Sequence, residues 1–128
     1  MARQKKGRTV DAVQILYQRY YAGKPQDKWI GQAWTRLLPE AAYARSLPEG
    51  QSWQADFQGV GVRFPIALPK GENPGAYYVA LIRTPFGDEA TLEFARAAIE
   101  GEGLGNNPAG VTDILAVSLS THDYVNHG

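Results

Sequence analysis

Cysteine is absent from the chain, which removes disulfides, thiolate metal ligands and cysteine nucleophiles together and leaves the redox compartment open. An excess of charge is absent as well. Thirteen Lys and Arg balance thirteen Asp and Glu, so no long-range field recruits nucleic acid or an anionic membrane surface. The local cluster Arg3, Lys5, Lys6 and Arg8 is read as a flexible basic tail over residues 1–8, since short charged termini are usually solvated and frayed. No apolar run approaches the roughly 20 residues needed to span a bilayer. The polar start "MARQKKGRTVDA" has no hydrophobic segment of the kind that follows a signal peptide's basic end, so no export address is expected in this chain. Internal repeats and low-complexity segments are also missing.

What remains is a chain of 128 residues with 44 % hydrophobic content, enough for one core and little more, so residues 9–128 are expected to form a single domain. From Thr9 to Tyr21 the apolar residues Val10, Val13, Leu16, Tyr17, Tyr20 and Tyr21 recur at helical spacing, with Thr9 placed to cap and Gly23 to stop. A second stripe, Trp29, Ile30, Ala33, Trp34, Leu37 and Leu38, follows Pro25 and ends at Pro39. Two such helices joined by a short loop predict a helical hairpin, and aromatic stripes at this spacing are core by default. "PEAAYARSL" adds a short turn or helix.

From Pro48 to Gly75 the chain is rich in Gly, Pro, Gln and Asn, and only "VGVRFPI" is strand-like, which predicts an irregular connection or hairpin. "YYVALIRTPFG" then turns at Thr84-Pro85, where Thr caps and Pro suits the first helical position. Asp88 and Glu89 fall in or near the first turn of the next helix, at its favourable end for negative charge. That helix, "DEATLEFARAAIE", ends at Gly101, Gly103 and Gly105. A phosphate-binding glycine loop follows a strand and opens a helix, whereas these glycines close one, so they are read as a helix stop.

"DILAVSLS" has the unbroken apolar character of a strand covered on both faces. Helix, glycine turn and buried strand make half of a parallel α/β crossover, so the fold class is α/β. Ligands bind at the carboxyl ends of strands in such sheets, and here that end carries "STHDYVNHG". Asp123 and His127, at i and i+4, share one face of a helical turn and supply a carboxylate and an imidazole, a normal pair of zinc donors. A pair at this spacing is also met as an ordinary cap or ion pair; its position after the strand is what raises the metal reading. His122, adjacent to Asp123, points elsewhere on a helix, and Ser118, Ser120 and Thr121 read as strand and capping residues.

"DILAVSLSTHDYVNHG" resembles the segment of bacterial alkaline phosphatase superfamily enzymes in which a buried strand leads into an Asp-Tyr-x-x-His-Gly metal motif. "TPFGDEATLEFARAAIEGEGLG" resembles the helix and glycine turn before it, and "WTRLLPEAAYA" and "FPIALP" resemble parts of the insertion that precedes both. The resemblance implies a partial alkaline-phosphatase-like α/β/α fold: residues 9–76 an insertion or cap-like segment with the helical hairpin, and 77–128 an α/β core segment ending at the metal motif. It implies that Asp123 and His127 are zinc ligands of a dinuclear hydrolase of phosphate esters, periplasmic or secreted. It also implies that nucleophile and remaining ligands lie outside these residues, so this chain alone is expected to bind zinc weakly and to be inactive. A phosphomonoesterase is the first expectation; a phosphodiesterase or nucleotide pyrophosphatase, and a stand-alone α+β interaction module without catalysis, are the alternatives. A core strand without its neighbours is expected to favour self-association.

Overall fold

The computed structural model describes residues 17–54, 56 and 61–126. It divides the chain into two compact units, one holding residues up to Lys28 together with Glu89–Leu119, the other Trp29–Asp88 together with the segment from Ser120 onward. The expected basic tail, the start of the first helix and His127 lie outside the described residues.

In the first unit, residues 17–22 are helical (α1). Tyr17, Tyr20, Tyr21 and Phe94 gather in one ring cluster, with centroids 4.5–5.7 Å apart in tilted and edge-to-face pairs, the separations at which aromatic quadrupoles attract. Burial raises the hydroxyl pKa values of Tyr20 and Tyr21, with the Glu93 carboxylate adding to the effect at Tyr20. Lys28 pairs with Glu93. The turn after α1 takes its left-handed residue at Lys24, φ 47°, one position beyond the glycine expected to stop the helix.

The second helix of the expected hairpin is not formed. Pro25–Trp29 is a 3₁₀ turn, Gly31 follows at φ 72°, and Ala33–Trp34 is a short strand, β1. Gly31 sits in the middle of the apolar stripe and takes a conformation no right-handed helix contains. The stripe is spent on a strand instead: β1 pairs antiparallel with β2, Ile66–Ala67, in the register Ala33↔Ala67 and Trp34↔Ile66. Leu68 N–H donates to Gln32 O at 2.8 Å and extends the ladder. A second 3₁₀ turn at Glu40–Tyr43 matches the short turn expected there.

The buried residues Trp29, Ile66, Leu68, Tyr77, Ala80, Leu81, Thr84 and Thr121 all belong to the second unit. Helix α2, Pro74–Leu81, supplies three of them. Asn73 caps it, its side chain accepting from Ala76 N–H at 3.2 Å, and Pro74 takes the first position, where its missing N–H costs nothing. Trp29 stacks on Phe86 at 6.0 Å. Helix α3 runs over Pro85–Glu102 and closes as expected on glycine: Gly103 has φ 62°, and Leu104 N–H reaches back to Ile99 O at 3.0 Å, the wrap-around bond of a glycine-terminated helix.

A further correction concerns residues 113–120. Among the described residues the sheet consists of β1 and β2, so "DILAVSLS" is not a paired strand. Nor is it covered, since Ile114 is 89 % exposed and Leu115, Val117 and Leu119 are exposed as well. A strand buried on both faces needs a neighbour on each edge, and the two-residue strands here offer neither. Helix α4, Thr121–Asn126, follows directly. The architecture of the described residues is therefore mixed: helices with one small antiparallel sheet.

Candidate functional site

The site expected from the sequence is the start of α4, and a corner of the second unit holds it. After α2, Thr84 folds back completely buried. Its N–H and its hydroxyl both donate to Leu81 O, at 3.1 and 2.9 Å. The hydroxyl therefore satisfies an orphaned carbonyl at the end of α2, whereas the sequence suggested a cap for α3. Gly87 N–H donates to Thr84 O at 2.9 Å, which tightens the turn into α3.

Asp88, in the first turn of α3, reaches the first residue of α4. Its Oδ1 accepts from Thr121 N–H at 3.2 Å and from Thr121 Oγ–H at 2.8 Å. These are charge-assisted bonds, roughly twice as strong as neutral ones. The N–H is one of the donors a helix start leaves without an internal partner. Beside it, a Cβ added to Gly87 would lie 2.9 Å from both Ile82 Cα and Leu81 O, and 3.1 Å from Thr121 Oγ1. Glycine is thus required here by space. Thr121 is 7 % exposed while His122 and Asp123 next to it are exposed.

Asp123 lies in the first turn of α4, and His127 is outside the described residues. Among the described residues no three of His, Cys, Asp and Glu come together in a group able to hold a metal ion. The donor chemistry of Asp123 and His127 suits zinc, but the described part of the chain offers a fraction of a coordination sphere and no more. Gly87 and Asp88 are the site residues that sequence reasoning missed. Both carried a signal, a glycine interrupting a helix start and an acid beside it, that points to a local cap as readily as to a distant contact.

A separate charged cluster lies elsewhere in the second unit. Arg36 donates to Glu49 Oε1 from Nε at 3.0 Å and Nη2 at 2.6 Å, pairs with Glu40, and sits over the Tyr43 ring at 5.2 Å. Phe64 N–H donates to the other oxygen of Glu49 at 3.2 Å. The bonds to Glu40 and Glu49 raise the Arg36 pKa, and those from Arg36 and Phe64 hold the Glu49 carboxyl below the usual carboxylate range. Thr35, Arg36, Glu40, Phe64 and Pro65 line an open hollow of about 340 Å³. Among its described lining residues, the arginine already carries two carboxylates.

By sequence, the chain is an alkaline-phosphatase-like segment. It is 37 % identical over 109 residues to alkaline phosphatase PhoV of Synechococcus elongatus and 34 % identical over 101 residues to alkaline phosphatase PafA of Elizabethkingia meningoseptica, which takes in 84 % and 77 % of this chain. A protein of Myroides odoratus named a calcium-transporting ATPase is 41 % identical over 105 residues, 81 % of this chain. In each case the match spans under a fifth of the relative's own length, 18–19 %. No protein-family model matches the chain, and no solved structure does. No described helix is long and apolar enough to cross a membrane.

Proposed function

We propose that this chain is the metal-motif segment of a zinc-dependent phosphate-ester hydrolase, with Asp123 and His127 as two ligands of one zinc ion. The observation that carries the reading is the match to two alkaline phosphatases over about four fifths of the chain, together with an Asp-Tyr-x-x-His-Gly sequence whose Asp lies in the first turn of a helix with a buried, tethered first residue. The name of the third relative, an ATPase, also describes cleavage of a phosphate bond. A phosphomonoesterase is favoured over a diesterase because both relatives named for a phosphatase are alkaline phosphatases. The finer α/β/α architecture and a periplasmic or secreted location belong to the same proposal.

Bound zinc would supply Lewis acidity of the two-metal kind, activating a nucleophile and stabilising the leaving oxygen. The part played by this chain is narrower. Asp123, in the first turn of α4, would contribute an anionic oxygen and His127, four residues on in the sequence, an imidazole nitrogen, while the Asp88–Thr121 contact fixes where α4 begins. Residues elsewhere in the relatives' length would supply the nucleophile and the remaining ligands.

Calorimetric titration with zinc tests this reading. Weak binding is expected, well short of the roughly 10–16 kcal/mol of structural zinc in zinc-finger peptides, lost in both Asp123→Ala and His127→Ala. No hydrolysis of an aryl phosphate above background is expected from the isolated chain. Zinc binding that neither substitution alters would overturn the ligand assignment, and turnover abolished by Asp123→Ala would overturn the view that the site here is partial.

A further inference from the structure

Helix α4 has six residues, and a helix of that length has no stability of its own in water. Something outside it must hold its orientation. In the second unit one carboxylate does reach its first residue: Asp88 Oδ1 receives both the N–H and the hydroxyl of Thr121, at 3.2 and 2.8 Å. The contact is seated as well as bonded, because a Cβ on Gly87 would lie 3.1 Å from Thr121 Oγ1, closer than an ordinary contact, besides colliding with Ile82 Cα and Leu81 O in its own turn. Thr121 is buried and Asp123, two residues on, is exposed. A negative charge at the first turn of α4 also complements the positive end of its dipole.

We propose that Asp88 is a positioning residue for the metal motif: through Thr121 it sets the direction in which α4 presents Asp123 to a cation. The proposal rests on the zinc reading above and deepens it: groups bonded directly to a ligand commonly change metal affinity by about 10–100-fold without touching the metal, and Asp88, acting through Thr121, is expected at the low end of that range. Asp88 takes no part in coordination. Its effect is to hold the ligand in place before the ion arrives, so that binding does not have to order the helix as well.

The test uses the whole chain and zinc alone as probe, following the imidazole proton resonances of the two histidines, His122 and His127, with amide exchange at Thr121 measured separately without metal. Asp88→Ala should weaken zinc binding about tenfold and deprotect the Thr121 amide. Thr121→Val should weaken binding in the same sense, whereas Asp88→Asn, which keeps an acceptor oxygen, and Thr121→Ser, which keeps the hydroxyl, should largely restore it. These two conservative variants decide the matter if Asp88→Ala fails to fold. A role in stability only would lower the melting temperature in Asp88→Ala and Thr121→Val while leaving zinc affinity unchanged, and that result would overturn the proposal. If Asp123→Ala leaves zinc binding intact, the metal reading falls and the proposal with it. Loss of Thr121 protection in Asp88→Ala would then show that the tether itself is real and purely structural.

Discussion

Glu49 shows how single side chains carry the irregular part of the chain, between β1 and β2, where regular hydrogen bonding is scarce. One oxygen takes both bonds from Arg36 and the other the Phe64 amide, next to β2. Its carboxyl is held below the ordinary value of 4.5, so near that pH the unfolded chain binds the proton more readily than the folded one. Stability from this contact is therefore complete above the unfolded value and is lost as pH falls through the lower folded value. The Phe64 amide resonance should titrate with a midpoint below 4.5, and Glu49→Gln should remove that acid transition; a midpoint at or above the ordinary value would contradict the account. Asp88 is the converse case for legibility. Its place in a first helical turn could be read from the sequence, but its partner lies 33 residues away, and no local pattern names a partner at that distance.

Elements were legible where local chemistry decides them. Helix α3 combined an apolar stripe, an acid in its first turn and glycines at its end, and each of these acts within a few residues. Helix α2 is local in the same way, and its cap makes a measurable claim: Asn73→Ala removes the acceptor for Ala76 N–H and should cost about 1 kcal/mol, read as a lowered midpoint in chemical denaturation with an unchanged slope. A midpoint that does not move would mean the cap contributes nothing to the folded state. Elements that depend on distant partners were not legible. The stripe from Trp29 to Leu38 carries helical spacing, yet Gly31 turns left-handed within it and β1 finds its partner far along the chain, at Ile66–Ala67. Residues 113–120 have strand composition without the neighbouring strands that would make one, so composition alone pointed to an element that these residues do not form.

At the scale of the molecule the two units differ in kind. The second holds the buried core, and the first is organised around a half-covered cluster of rings and leaves Ile114, Leu115, Val117 and Leu119 in water. We propose that this uncharged apolar run associates with another copy. Sedimentation should show a mass that rises with concentration, and Val117→Lys should return the chain to a monomer; a concentration-independent monomer with freely exchanging amides over 114–119 would refute this. The bond between Asp88 and Thr121 has a different consequence at this scale. It joins the point where the chain leaves the second unit, after Asp88, to the point where it returns, at Ser120. The intervening residues form a closed loop pinned at its base, and the entropy of closing such a loop grows only with the logarithm of its length, about 0.6 kcal/mol for a doubling. The glycine-rich connection after α3 is thus free to lengthen or shorten during evolution at little thermodynamic expense. Folding is constrained instead at one point: the Asp88–Thr121 contact at the start of α4 forms only once this loop has closed.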